Sequence, residues 1–150
     1  MLSGKLIHLI EAHEEEITER IIREIQDHVD LAHLRKLPVA ELREPCRKIL
    51  QNLGHWLAWG NEGELAREYE EIGKSHFVEA VPLQESVHGL TLVKQKMFDF
   101  IDDQGMEPDA LTLYAEEELE RRVGRFFDLL LIHLVRGYEA FWRHAAHAVA

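Results

Sequence analysis

The sequence predicts an all-α fold, and two observations predict it. Apolar residues recur at intervals of three and four over most of the chain, which is the spacing of one face of an α-helix. No segment shows the sustained alternation of apolar and polar residues that marks a half-buried strand. The chain also has no internal repeat, low-complexity tract or linker rich in proline, glycine and serine. We therefore expect residues 1–150 to form one helical domain.

The first two helices are predicted from their apolar stripes and their end signals. The first begins with Ser3 as its N-cap and runs to about Val29. Its stripe consists of Ile10, Ile17, Ile21, Ile25 and Val29. The second begins near Pro38, because proline suits a first helical turn, and stops at Gly60. Pro45 is expected to kink this helix or to delay its start, since proline lacks an N–H donor.

A proline and a glycine mark the ends of the next two helices. The third begins at residue 61 or 62 and is interrupted at Val81-Pro82, because the residue before proline disfavours helical geometry. The fourth runs from Pro82 to Asp103. Gly105 is then placed to adopt the left-handed conformation that often ends a helix.

The last helix is the longest and the most apolar. It starts at Pro108-Asp109, runs to about His144, and is expected to break or bend near Gly124. Its second half is apolar over more than the roughly 100° that packing against one core requires. We expect the surplus face to contact a second copy of the chain, giving a homodimer through the C-terminal helices. The alternative is that this helix lies in the middle of its own domain.

Composition excludes several partners. The 150 residues include 28 acidic and 17 basic side chains, for a formal net charge of −11, with no run of Lys and Arg, so a nucleic acid partner is not expected. Residues 1–10 are apolar but too short for a membrane span and unlike a signal peptide. Cys46 is the single cysteine, so no internal disulfide can form. These features predict a cytoplasmic protein without membrane attachment.

Common catalytic signatures are absent from the sequence. It has no phosphate-binding glycine loop, dinucleotide fingerprint, nucleophile elbow or His-Glu-x-x-His helix, so we do not expect an enzyme. Glu85-x-x-His88 has the spacing of a di-iron ligand pair. Asp30-x-x-His33 has the same spacing, but with Asp in place of Glu, and is the one partial match. A di-iron bundle needs further inward carboxylates from other helices, and that set is not found.

The functional interpretation depends on His76. It lies on the apolar stripe of the third helix, shortly before the break at Pro82, and a buried imidazole needs a polar partner. The stretch Ile72-Gly73-Lys74-Ser75-His76, followed by Val81-Pro82-Leu83, resembles the Ile-Gly-x-x-His stretch of the globin-coupled sensors and protoglobins. That resemblance implies a globin-like bundle of about five to seven helices with long C-terminal helices, a haem cofactor, and His76 as the proximal iron ligand.

The chain as a whole is still more similar to the globin-like N-terminal domain of the RsbR-type stressosome co-antagonists. The likeness is carried by two blocks, Glu71-Ile72-Gly73 to Val81-Pro82-Leu83 and Gly124-Arg125-Phe126-Phe127 to Val135-Arg136-Gly137-Tyr138-Glu139. Many of those domains hold no haem and place a charged residue where His76 stands, so His76 is the departure that points to haem. The haem-binding sensors, in turn, usually have glycine where Ala80 stands, Trp-Tyr where Glu85-Ser86 follows, and a distal tyrosine from an early helix.

The resemblance to the haem-binding sensors also implies the remaining pocket residues. Since no early tyrosine is present, the distal residue is expected on the second helix, and His55 is a further candidate for the sixth ligand. His88 is expected to contact a haem propionate or else to face solvent. The candidates for that distal residue are Cys46, Arg47 and Leu50, about one turn apart on the second helix, and the other residues expected at the haem are Tyr69 and Ile72.

Two classes of function follow from these likenesses. In the first, a diatomic gas or a redox change at haem iron moves the His76 helix, and the motion passes through Pro82 to the dimeric helices. In the second, a haem-free signalling and dimerisation module binds a partner protein or an apolar small molecule. Because the sequence contains no kinase, cyclase or transcription-factor domain, either class is expected to act through a signalling partner protein.

Overall fold

The computed structural model describes residues 2–107 and 109–149, and no strand occurs among them, which confirms the all-α prediction. Within these ranges lie α1 (Gly4–Ala12), α2 (Glu14–Asp27), α3 (Val39–Gln51), α4 (Leu53–Leu57), α5 (Glu62–Val78), α6 (Leu83–Asp103) and α7 (Ala110–Val149). Two 3-10 turns, Val29–Leu31 and Leu34–Lys36, connect α2 to α3. Pro108, predicted to open the last helix, lies outside the described residues.

The predicted first helix is divided at His13 into α1 and α2. In a continuous helix the backbone N–H of residue 13 would bind the carbonyl of Leu9. Here that carbonyl lies 2.9 Å from Nδ1 of the His13 ring, while the backbone N–H of His13 binds Ile10 instead. The three glutamates at 14–16 then form the first turn of α2, where negative charge is favourable. The expectation of one uninterrupted helix to Val29 was therefore wrong.

Ser3 precedes α1, but its side chain does not cap that helix as predicted. Its hydroxyl donates to Oε1 of Glu118 at 2.8 Å and accepts from Arg122 at 3.0 Å. Arg122 also donates to the carbonyl of Leu57 at 3.2 Å. Ser3 therefore joins the start of the chain to α7, and through Arg122 to the end of α4.

The predicted second helix is also two helices, α3 and α4. Pro45 lies inside α3 rather than at its start, so α3 neither ends nor begins there. Because proline has no N–H, the carbonyl of Glu41 loses its usual main-chain partner. A short α4 follows Asn52 and ends before Gly60, which has a positive φ of 82°.

The boundaries predicted for α5 and α6 are confirmed. The break falls at Val81-Pro82, and Ala80 before it has φ 59°, in the left-handed region that favours glycine. This is the position at which the haem-binding sensors usually have glycine. At the other end of α6, Gly105 has φ 61°, as its predicted role in ending that helix requires.

The last helix, α7, is continuous through Gly124, where a break or bend was expected. Nothing lies within 4 Å of the place a Cβ on Gly124 would occupy, so neither a neighbouring chain segment nor a turn requires glycine there. The helix is not covered on all sides by its own domain. Ile132 and Trp142 are 53% and 56% exposed, which removes the alternative of a fully enclosed helix.

Among the described helices, α5 and α7 share the most extensive contact, and two glycines allow their backbones to approach closely. Gly73 of α5 lies against the main chain of α7, where a Cβ would be 2.9 Å from the amide nitrogen of Tyr138. Gly137 of α7 lies against the main chain of α5, where a Cβ would be 2.8 Å from the carbonyl carbon of Glu70. We call this contact the glycine crossing, because a side chain on either residue would force the two backbones apart.

Candidate functional site

A cavity of about 400 Å³ lies between α3, α5 and α6. Sites for small molecules commonly have volumes of about 300–1,000 Å³ and mainly apolar walls. The apolar residues that line this cavity are Ile25, Leu34, Leu42, Pro45, Leu65, Ile72, Leu90, Val93 and Leu134. Its size and its wall are therefore those of a small-molecule site.

His76 lines the cavity from the last turn of α5. Its Nδ1 lies 2.8 Å from Oγ of Ser86 on α6. Burial lowers the pKa of His76, so the neutral imidazole predominates at pH 7. When Nδ1 donates its hydrogen to Ser86, the lone pair of Nε2 remains available to a ligand.

Cys46 of α3 and Tyr69 of α5 also line the cavity, and both are buried. Burial raises the pKa of the Cys46 thiol to about 12 and raises the pKa of the Tyr69 hydroxyl well above its usual value. Both side chains are therefore neutral at pH 7. A buried neutral thiol is a weak nucleophile, so Cys46 contributes shape and polarity rather than reactivity.

The remaining residues predicted for a haem pocket lie elsewhere. Leu50 is fully buried but does not line the cavity, and Nε of Arg47 lies 3.8 Å from the carboxylate of Glu14. The ring of His88 contacts that of His28, with 4.7 Å between centroids, and His55 packs edge-on against Trp56. The cavity thus brings together His76, Tyr69, Ile72 and Cys46 but not Leu50, Arg47, His55 or His88.

Charged residues form the rim, where the lining of the cavity reaches solvent. Glu41 and Glu44 are exposed, while Glu68 and Lys48 are partly exposed and form an ion pair with each other. No Lys or Arg of the described residues forms an ion pair with Glu41 or Glu44. The rim therefore carries three carboxylates against one ammonium group, which is already paired.

These residues fit haem at the iron but not at the propionates. A neutral imidazole in an apolar cavity suits an axial ligand, and His76 meets that requirement. The propionates of haem are anionic and need solvent or basic partners. At this opening they would meet Glu41, Glu44 and Glu68, and the one base on the rim is occupied by Glu68.

Glu85 does not pair with His88, as a di-iron helix would require, but binds the turn before α3. Its Oε1 accepts hydrogen bonds from the backbone N–H groups of His33 at 2.9 Å and Leu34 at 3.0 Å, and its Oε2 lies 2.6 Å from Nδ1 of His33. The residue is 4% exposed. Burial alone would raise the pKa of Glu85, but these hydrogen bonds outweigh it and lower that pKa. Glu85 therefore fixes the start of α6, where Ser86 meets His76.

Sequence reasoning missed Ser86 and the partners of Glu85. Both contacts join different elements, because Ser86 meets α5 across the turn at Val81-Pro82 and Glu85 meets residues about fifty positions earlier. Helical periodicity carries no information on such pairs. The one available signal was the polarity of Glu85 and Ser86 within the first turn of an otherwise apolar helix face.

Two kinds of feature are absent from residues 2–107 and 109–149. No three side chains of His, Cys, Asp and Glu converge in a way that would hold a metal ion. No helix in the described ranges is long and apolar enough to cross a membrane.

Comparison with known proteins assigns the family. No curated protein and no solved structure matches the chain. The family model described as the RsbT co-antagonist protein rsbRD N-terminal domain matches residues 15–149, which extend from the start of α2 to the end of α7. The likeness to RsbR-type co-antagonists indicated by the two sequence blocks is thereby confirmed. The chain belongs to the family of RsbT co-antagonist rsbRD N-terminal domains.

Proposed function

We propose that this domain is the sensory part of a signalling protein and that it binds a small, mainly apolar molecule in the cavity between α3, α5 and α6. The family description names a co-antagonist, a protein that acts on other proteins. A bound molecule would change the conformation or rigidity of the domain, and a partner protein would respond to that change. Burial raises the pKa of Cys46 and of Tyr69, so neither is activated as a nucleophile, and we propose that both serve to line the cavity.

The observation that carries this proposal is the position of the cavity beside the glycine crossing. Ile72 and His76 line the cavity, and Gly73 between them on α5 lies against the main chain of α7. Because the two backbones are in contact, α5 cannot move far without α7 moving too. Sensing requires two arrangements whose balance the ligand changes. The glycine crossing links the α5 side of the cavity to α7, the longest helix, which also contributes Leu134 to the cavity wall.

The proposal predicts that filling the cavity weakens ligand binding. We expect wild-type protein to bind the uncharged probe 1-octanol in isothermal titration calorimetry, and Ile72→Trp to bind it at least about tenfold more weakly, because the indole takes up the space. Val78→Trp is the matched control, since Val78 lies exposed on the same helix. Val93→Phe provides a second cavity-filling variant, and circular dichroism checks that each variant folds. Wild-type affinity in both folded cavity variants would contradict the proposal.

Haem with His76 as axial ligand is the second candidate occupant, and the contact between Nδ1 and Ser86 favours it. Bound iron would supply a site for a diatomic gas or for a redox change. If haem is the occupant, protein made with haem available has a stoichiometric Soret band that responds to reduction and carbon monoxide. That band is lost or shifted in His76→Ala but kept in His88→Ala, which removes an imidazole outside the cavity. A colourless wild type that takes up no added haemin contradicts this candidate and leaves the iron-free ligand.

We also propose that the domain forms a homodimer through α7. Ile132 and Trp142 are exposed on this helix, and Val135 lies between them at a spacing that places all three on one face. In sedimentation velocity at micromolar concentration we expect a dimer for the wild type and a monomer for Ile132→Glu/Trp142→Glu. Val29→Glu, which places the same charge at an exposed valine outside α7, should remain dimeric. A monomeric wild type would contradict the dimer.

A further inference from the structure

We propose that the cavity selects a ligand with an apolar body and a positively charged head group, such as a primary amine. This inference rests on the proposed function and adds the chemical class of the ligand. It comes from the contrast between the wall of the cavity and its rim. The wall, with Leu42, Ile72 and Val93, suits a hydrocarbon body, and the rim carries an excess of negative charge.

The excess of negative charge at the rim comes from two side chains at the opening of the cavity. Of the four charged side chains that line the cavity, Lys48 and Glu68 pair with each other across α3 and α5. Glu41 and Glu44 make no ion pair with the described residues, so two negative charges face the opening without compensation. A charge held near both carboxylates at the edge of an apolar cavity is less screened than one in bulk water.

A further carboxylate, that of Glu79 just after α5, lies beside Glu41. The pKa of Glu41 is raised by partial desolvation and, in addition, by the charge of Glu79 and a hydrogen bond with it. A carboxyl with a nearby cation would show the opposite direction. Glu79 accepts a hydrogen bond from Ser75, another residue of the lining, so its charge also lies close to the opening.

A ligand with an anionic head group would be repelled at the rim. An apolar body that occupies the wall leaves its head group at the rim, where a carboxylate would lie near Glu41 and Glu44. The same repulsion applies to the propionates of haem. The apolar wall does not distinguish ligands that share the same apolar body, so the charge of the rim determines which head group is preferred.

Three probes with one octyl chain and different head groups test the inference at pH 7: octylamine, 1-octanol and octanoate. In calorimetric titrations of the wild type we expect octylamine to bind about tenfold more tightly than octanoate, with 1-octanol between them. Glu41→Gln/Glu44→Gln should reduce that ratio several-fold. Glu117→Gln/Glu120→Gln is the matched control, because it removes two exposed carboxylates from α7 and changes the net charge equally.

The outcomes distinguish the head-group inference from the proposal that the cavity binds a small molecule. Equal or tighter binding of octanoate by the wild type overturns the head-group inference while the cavity proposal stands. A preference for octylamine that both double variants reduce equally also overturns it, because the preference then comes from the overall charge of −11. Failure of all three probes to bind the folded wild type overturns the proposed function itself.

Discussion

Gly137→Ala is expected to destabilise the domain by about 3 kcal/mol, because the added methyl group has no space at the glycine crossing. A Cβ on Gly137 would overlap the carbonyl group of Glu70, which is part of the α5 backbone and cannot rotate away as a side chain does. The two helices must therefore separate and lose contacts along their length. In thermal unfolding, this corresponds to a midpoint lowered by roughly 6 to 12 °C for a domain of this size.

The same substitution elsewhere in α7 provides the control. Gly124→Ala adds a methyl group where nothing lies within 4 Å, and alanine forms helices better than glycine, so stability should rise by about 0.5–1 kcal/mol. Gly73→Ala should destabilise the domain about as much as Gly137→Ala. The double variant should lose less stability than the sum of the two single losses, since both substitutions disrupt one contact. Similar effects of Gly137→Ala and Gly124→Ala would show that the glycine crossing does not determine how α5 and α7 pack.

Glu85→Ala is expected to lower the free energy of unfolding by about 2–4 kcal/mol, because it leaves the backbone N–H groups of His33 and Leu34 without an acceptor. The side chain of Glu85 is buried, so water replaces the lost acceptor poorly. Urea unfolding at pH 7 measures the loss. Asp102→Ala, at an exposed carboxylate of the same helix, should change stability by less than about 0.5 kcal/mol. Equal effects of the two variants would contradict the anchoring role of Glu85.

The contribution of Glu85 should also depend on pH, and Glu85→Gln isolates that dependence. The pKa of Glu85 is lower in the folded domain than its ordinary value of 4.5, so its charge stabilises the fold fully above that value. This contribution is lost as the pH falls through the folded pKa. The stability difference between wild type and Glu85→Gln should therefore narrow below pH 4.5. A difference that stays constant from neutral to acid pH would show that the carboxylate charge does not contribute.

Local signals in the sequence predicted the helices around the cavity. Val81-Pro82 separates α5 from α6 because of a steric rule that acts between neighbours, and Gly105 ends α6 for a similarly local reason. The division at His13 was missed because it depends on a ring nitrogen that occupies the carbonyl of Leu9. Gly124 gave a false signal, since a helix whose other residues are packed tolerates one glycine.

The candidate site was predicted in part, and the reason is geometric. The stripe that contains Tyr69, Ile72 and His76 faces the cavity because these residues lie three and four positions apart on α5. Cys46 lines the cavity and its neighbour Arg47 does not, since adjacent helix residues point about 100° apart and the sequence does not fix that register. The partner of Gly137 could not be predicted either, because Glu70 meets it only after α5 and α7 have packed.

Amide hydrogen exchange with and without saturating 1-octanol tests the central claim most directly, because it locates both the bound probe and its effect. The claim is that ligand in the cavity is linked to α7 through the glycine crossing. It predicts slower exchange in α3 and α5 beside the cavity and also in α7 around Tyr138, one turn beyond Leu134, which itself lines the cavity. The effect should be smaller in Ile72→Trp at the same probe concentration. Slower exchange in α3 and α5 without any change around Tyr138 would contradict it, as would no change in the cavity helices of a protein that binds the probe.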